Sequence, residues 1–203
     1  MLAVYSATMA RWHHAIFSAY GFWLPNDPRG SWSTFVASYE LYRYGPATKT
    51  DDRRSLAHDP HNAALRREAK QKMKYPPVRF TEPQRDAIAR GIAQTSEESA
   101  VTVHACAIGH DHVHVVLARH EKPVERIVGQ FKGRANQHMK AAGCHPFANV
   151  VTEKILAPSP WSEGCWKVFI SDESQLRSAI GYVERHSFKE GLGLQRFDFI
   201  RPV

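Results

Sequence analysis

Cys106-Ala107-Ile108-Gly109-His110-Asp111-His112-Val113-His114-Val115-Val116-Leu117 is the stretch on which the fold turns. An apolar run reaches a polar turn and then resumes with β-branched residues, the pattern of two hairpin strands. Val101 to Ala107 reads as the first strand, Asp111 lies in the turn, and His112 to Ala118 reads as the return strand. Side chains two apart on a strand share a face. His112 and His114 therefore point one way, and Val113 and Val115 the other. Two imidazoles fixed on one strand can serve one divalent cation, but a catalytic site needs a third ligand.

Working outward, Trp12 to Tyr20 is aromatic and apolar and ends at Gly21, as a first strand would. Thr81 with Glu82, before Pro83, predicts a helix to about Ser96 with Ile88 and Ile92 on its inner face. Pro123 opens a second helix through Ile127, Phe131 and Ala135 to Ala142, closed near Gly143. Trp166 to Ile170 reads as a strand. Ser171 is the expected cap of a last helix from Asp172 to about Ser187, with Asp172 and Glu173 in its first turn. The expected fold is α+β: a ferredoxin-like split β-α-β-β-α-β sandwich with an antiparallel sheet, plus an added C-terminal helix. Helices on one face leave the other face open to the paired histidines.

Between the first strand and the first core helix lies an insertion from about 21 to 80, within one domain spanning 1–203. It holds the turn sequence Leu24-Pro25-Asn26-Asp27-Pro28-Arg29-Gly30 and a short helix from about Ala63 to Met73. Nearly sixty residues is long for a connection, so the insertion is expected to cover the core or bind something.

The chain has 203 residues, 43% hydrophobic and 23% charged, an ordinary balance for a globular domain. No run of 18 apolar residues marks a membrane span, and the first residues lack a secretory signal pattern. Cys106, Cys144 and Cys165 are odd in number and widely spaced, which argues against a disulfide framework or a cysteine zinc site and for a reducing compartment. The net charge of +7 favours a polyanionic partner, because basic groups release the counterions condensed on nucleic acid.

The third ligand is sought in the last helix. Tyr182 and His186 are four apart and share one helical face, while Glu184 and Arg185 point elsewhere. With that face on the open side of the sheet, His186 completes a three-ligand site and the Tyr182 hydroxyl lies beside the metal. Asp111 can orient a ligand imidazole by accepting its other N–H, or simply form the turn.

On these residues the chain resembles the IS200-like transposase superfamily, in particular its REP-associated tyrosine transposase branch within the HUH endonucleases. His112-Val113-His114 followed by Val115-Val116-Leu117 resembles the histidine motif. Tyr182-Val183-Glu184-Arg185-His186, continuing through Lys189 to Leu192, resembles the tyrosine helix and its exit. Family members usually carry Asn or Gln where His186 stands, Pro where Ser187 stands and Val where Phe188 stands. Tyr20 to Gly30 resembles a Gly/Trp/Leu-Pro pattern of one branch, and Trp161 to Ile170 the tryptophan-rich strand before the tyrosine helix.

The resemblance implies a bacterial, cytoplasmic enzyme, nucleoid-associated when bound to DNA. It would cleave and rejoin single-stranded DNA near hairpins. Tyr182 would be the nucleophile of a 5′-phosphotyrosine intermediate, with Mg²⁺ or Mn²⁺ held by His112, His114 and His186. Both monomers and homodimers exchanging the tyrosine helix occur in the family.

Basic groups suited to the DNA backbone are Arg29, Arg53, Arg54, Lys70, Lys72, Lys132, Arg134, Lys167 and Lys189. Trp23, Trp32, Tyr42 and Tyr44 are candidates for stacking on unpaired bases. Trp161 and Trp166 read as core or lid aromatics. His13, His14, His58, His61, His104, His120, His138 and His145 lack ligand spacing and read as surface, packing or hydrogen-bonding residues. Two other functions compete: a domesticated hairpin-binding protein that no longer transposes, and a metal-dependent phosphodiesterase without a covalent intermediate.

Overall fold

The computed structural model describes residues 10–22, 24, 41, 43–44, 62–150 and 157–203. The elements in chain order are β1 (Trp12–Ser18), α1 (Ala63–Gln71), α2 (Glu82–Glu98), β2 (Val103–Ile108), β3 (His112–Ala118), α3 (Val124–Ala141), β4 (Trp166–Ile170) and α4 (Glu173–Lys189). The strands form one four-stranded antiparallel sheet in the order β2-β3-β1-β4, giving an α+β fold.

Strand alternation divides the sheet into two unlike faces. Ala15 and Phe17 of β1 and Val113, Val115 and Leu117 of β3 point toward α2 and α3, where they join Ile88, Ile92, Ile127, Phe131 and Met139 in the main core. The opposite face is lined by Ala105, Ala107, Val116 and Ile170 and is covered by Leu176 and Val183 of α4. A register shift between Val103 and Ala105 changes the phase of β2. Val103 thereby packs into the main core while Ala105 packs under α4. The small side chains at Ala105 and Ala107 leave little between sheet and helix.

Local signals account for the helix ends. Gln84 accepts from the Thr81 N–H at 2.9 Å and donates to the Cys144 carbonyl at 2.7 Å, tying the start of α2 to the loop after α3. The α4 cap is Asp172, whose carboxylate accepts from the Gln175 N–H at 2.9 Å, and not Ser171. Asp172 has the extended backbone of a capping residue and a side chain matched in charge to the helix N-terminus. Helices α2 and α3 cross closely at Gly91, where a Cβ would lie 2.4 Å from the backbone nitrogen of Ala135.

Trp161 is a core aromatic, packed against Phe17 and Phe80. Helix α1 buries Ala69 in a separate small cluster with Leu24 and Tyr44. The outer side of β2 is occupied by the C-terminal segment. Ile200 bridges to Val103, the Arg201 N–H donates to the Val103 carbonyl, and the Gln195 amide pairs with both backbone groups of Ile108.

Candidate metal centre and tyrosine

The β1–β3 register sets Ile16 opposite His114 and Ser18 opposite His112. Cross-strand partners share a face, so His112 and His114 point toward α4, as their spacing predicts. The docked face of α4 presents Tyr182 and His186 to them. The ring centroid of His186 is 4.2 Å from that of His114 and 4.7 Å from that of His112. The ligand-capable nitrogens of His112, His114 and His186 all lie within 4.8 Å of one another. The tyrosine helix thus meets the histidines of its own chain, with the Tyr182 ring 5.6 Å from that of His114 and 5.9 Å from that of His186.

Hydrogen bonding fixes much of the site. His112 donates from Nδ1 to the Asp111 carboxylate at 2.8 Å, since an ionised carboxylate only accepts. Its Nε2 is then a lone pair, 2.7 Å from His186 Nε2. The Phe22 ring packs against His112 at 5.0 Å. His114 is 3% exposed, and among the described residues its buried Nε2 has no hydrogen-bond partner. Such an atom is costly unless something occupies the space it faces.

The electrostatics favour the neutral form of His114 and His186. Burial, and then the charges of neighbouring histidines, hold His114 well below the ordinary histidine range. Burial, followed by His112, lowers His186 to about 4, against the opposing influence of Glu190 and Asp111. Neutral imidazoles are the metal-ligating form. Three converging ring nitrogens, one of them orphaned, therefore fit a divalent cation. Burial raises the Tyr182 phenol, and Lys189 Nζ lies 5.4 Å from the centre of its ring.

Two site residues escape the sequence reading. His14, read there as a packing or surface residue, is 9% exposed, and its Nε2 lies 3.0 Å from His114 Nδ1. Its strand parity is visible in the sequence, since it alternates with His13 and Ala15. Which face that parity selects depends on the pairing with β3. Glu190, just beyond α4, accepts from the His110 N–H at 3.0 Å and groups with Asp111 and His112 in a second set of metal-capable atoms. A carboxylate one turn after His186 on the same helical face is the signal that identifies it.

The expected DNA contacts separate. Lys189 sits at the tyrosine. Lys167 points to the opposite face of the sheet, where it pairs with Glu125. Lys132 donates to the carbonyls of Ser162 at 2.7 Å and Gly164 at 2.6 Å and lies 5.9 Å from the centre of the Phe17 ring. Arg134 pairs with Glu98 at 2.6 Å. Lys70 and Lys72 lie at the end of α1. Tyr44 is buried, and its hydroxyl accepts from Arg43 at 2.7 Å, so its ring is no open stacking platform. Arg29, Arg53, Arg54, Trp23, Trp32 and Tyr42 lie outside the described residues, as do His58 and His61.

Residues 72–186 match the family model described as "Transposase IS200 like", more than half of the chain and the whole span from before α2 to His186. With this match and the histidine cluster beneath Tyr182, the chain belongs to the IS200-like transposase family and has the activity of a HUH-type tyrosine transposase and endonuclease.

Among solved structures, the chain is similar to a REP-associated tyrosine transposase bound to a REP hairpin. That likeness has a TM-score of 0.46 and 10% identity over 91% of this chain and 70% of that one. It is also similar to a protein assigned as a transposase from Deinococcus radiodurans R1, with a TM-score of 0.37 and 11% identity over 96% of this chain and 100% of that one. No curated protein matches the sequence. Among the described residues no helix is long and apolar enough to cross a membrane.

Proposed function

We propose that the chain cleaves and rejoins hairpin-bearing single-stranded DNA with Tyr182 as nucleophile and His112, His114 and His186 as ligands to Mg²⁺ or Mn²⁺. The observation that carries this reading is the orphaned His114 Nε2, buried beside His112 and His186 in the same chain and close to the Tyr182 ring. The cation would supply a positive charge at the non-bridging phosphate oxygens, where negative charge develops.

The chain's own groups do the rest. Asp111 holds His112 through Nδ1. The Tyr182 oxygen forms a bond to phosphorus as the bond to the 3′ oxygen breaks. The phenolic proton is given up and the departing 3′ oxygen gains one. The product is a 5′-phosphotyrosine and a free 3′-hydroxyl, which preserves the bond energy for rejoining. Lys189, above the Tyr182 ring, is placed to pair with the entering phosphate. Arg29, Arg53, Arg54, Lys70 and Lys72 are proposed to contact the DNA backbone, with Lys132, Arg134 and Lys167 on the far face of the molecule.

The sheet order β2-β3-β1-β4 and its antiparallel pairings support a ferredoxin-like β-α-β-β-α-β topology, carried in one domain of 1–203 with an insertion at about 21–80. Three free cysteines suit the reducing cytoplasm, where the protein would act at the nucleoid.

The test is incubation with labelled hairpin-bearing single-stranded DNA and Mn²⁺ or Mg²⁺. A denaturation-resistant protein–DNA adduct is expected from wild type and none from Tyr182→Phe. Cleavage by Tyr182→Phe at the wild-type rate would instead indicate a non-covalent phosphodiesterase. Binding without cleavage by either protein would indicate a hairpin-binding protein that has lost its chemistry.

A further inference from the structure

The three ligand histidines do not explain why His114 faces the site with a lone pair. A neutral imidazole carries one N–H, on either nitrogen, and only the bare nitrogen can ligate. For His112 the choice is made by Asp111, which can only accept. Among the described residues no carboxylate reaches His114. Its Nδ1 instead meets Nε2 of His14 at 3.0 Å, with the two ring planes inclined at 30°. His14 is brought there by β1, whose pairing sets Ile16 opposite His114 and places His14 one pleat further along the same face. Both rings are buried.

Either ring could donate in this pair, and the surroundings distinguish them. If His14 donated, His114 would carry its proton on Nε2. That N–H would be buried without an acceptor, at a place where the nitrogens of His112 and His186 converge. If His114 donates from Nδ1 to His14, its Nε2 becomes a lone pair aimed at the same point. Only the second arrangement leaves no buried donor unsatisfied.

We infer that His14 is a positioning residue for the metal centre: its Nε2 accepts the Nδ1–H of His114 and so fixes that ligand's tautomer and ring direction. His14 does for His114 what Asp111 does for His112, with a neutral acceptor in place of a charged one. The consequence for the metal rests on the proposed ligand role of His114; the hydrogen bond itself does not. Partners of this kind typically change metal affinity by about 10- to 100-fold when removed.

Long-range ¹H–¹⁵N spectra of the metal-free wild-type protein read the tautomer directly. His114 is expected as the Nδ1–H form, and an Nε2–H form overturns the inference without any variant. Calorimetry with Mn²⁺ on His14→Ala, His14→Gln and His114→Ala tests the consequence. Affinity should fall by about 10- to 100-fold in His14→Ala and largely recover in His14→Gln, whose amide oxygen can accept from His114. Equal losses in the Ala and Gln variants would mean that His14 is merely packing, and wild-type binding by His14→Ala would remove its role altogether. Unchanged binding by His114→Ala would refute the ligand assignment itself, while the tautomer spectrum still decides the hydrogen bond.

Discussion

His186 Nε2 lies 2.7 Å from His112 Nε2, joining the C-terminal helix to a strand 74 positions earlier in the chain. In the metal-free protein one proton can lie between the two nitrogens; a cation would take its place. His186 therefore couples the element that carries the tyrosine to the strand that carries the paired histidines.

Three imidazoles suit Mn²⁺ better than Mg²⁺, which prefers oxygen ligands. Adduct formation by wild type is expected to be faster with Mn²⁺. His186→Gln, which supplies an amide oxygen, should raise the Mg²⁺ rate relative to the Mn²⁺ rate. His186→Ala should weaken Mn²⁺ binding by at least roughly 100-fold, the upper end for losing a group that only orients a ligand. An unaltered ratio of rates in the Gln variant would show that His186 is not a ligand.

Among the described residues, Lys189 is the one predicted DNA contact that the fold brings to the tyrosine. Burial raises the Tyr182 phenol, and a nearby cation favours the phenolate. Lys189→Met is expected to slow adduct formation by about tenfold, less than the roughly 100- to 1,000-fold of losing a dedicated oxyanion donor, because Lys189 lies over the ring. Its rate should rise with pH at higher pH than that of wild type, with Mn²⁺ affinity unchanged. Pre-steady-state gel assays across pH provide the comparison.

Acid should destabilise the metal-free protein within a definite window. His14 and His186 are held near 4 in the folded chain, chiefly by burial, whereas unfolded histidines titrate near 6.5. Between these values the unfolded chain binds more protons, so stability falls as pH drops from about 6.5 to about 4, and buried His114, shifted in the same direction, adds to the loss. His14 alone, being nearly buried, accounts for roughly 3 kcal/mol at the acid end. Thermal melts from pH 7.5 to 4 measure the effect, and a flat profile through that window would contradict the neutral, buried cluster.

Gly91→Ala tests the helix layer on the other side of the sheet. The added Cβ would meet backbone atoms of α3 at Ala135, so the helices must separate. A loss of about 1–3 kcal/mol is expected, as for other overpacked interiors. Mn²⁺ affinity should hold in the surviving folded fraction. Chemical denaturation with and without metal separates the two effects.

The hairpin and the tyrosine helix are legible because periodicity carries them. His112–Ala118 and Trp166–Ile170 have the predicted bounds, and the i, i+4 relation of Tyr182 and His186 is independent of tertiary detail. His14 is not legible in the same way. The segment Trp12-His13-His14-Ala15-Ile16-Phe17-Ser18 has apolar residues of both parities, so only pairing with β3 and β4 reveals which face each occupies. Lys167 reads as a DNA contact from its charge alone, but its parity sends it to Glu125 on the helix-covered face. The cap of α4 differs by one residue because Ser171 and Asp172 are both good capping types, and backbone conformation chooses between them.

The C-terminal segment along β2 has a consequence for how copies of this chain can associate. An exposed strand edge is a template for further strands. Here Ile200, Arg201 and Gln195 occupy the outer side of β2, and β4 forms the other end of the sheet. Among the described residues no strand pairs with the outer side of β4, which leaves strand addition that one direction. Two copies joined there would expose only their blocked β2 sides, so edge-to-edge assembly ends at a pair rather than extending into a fibre.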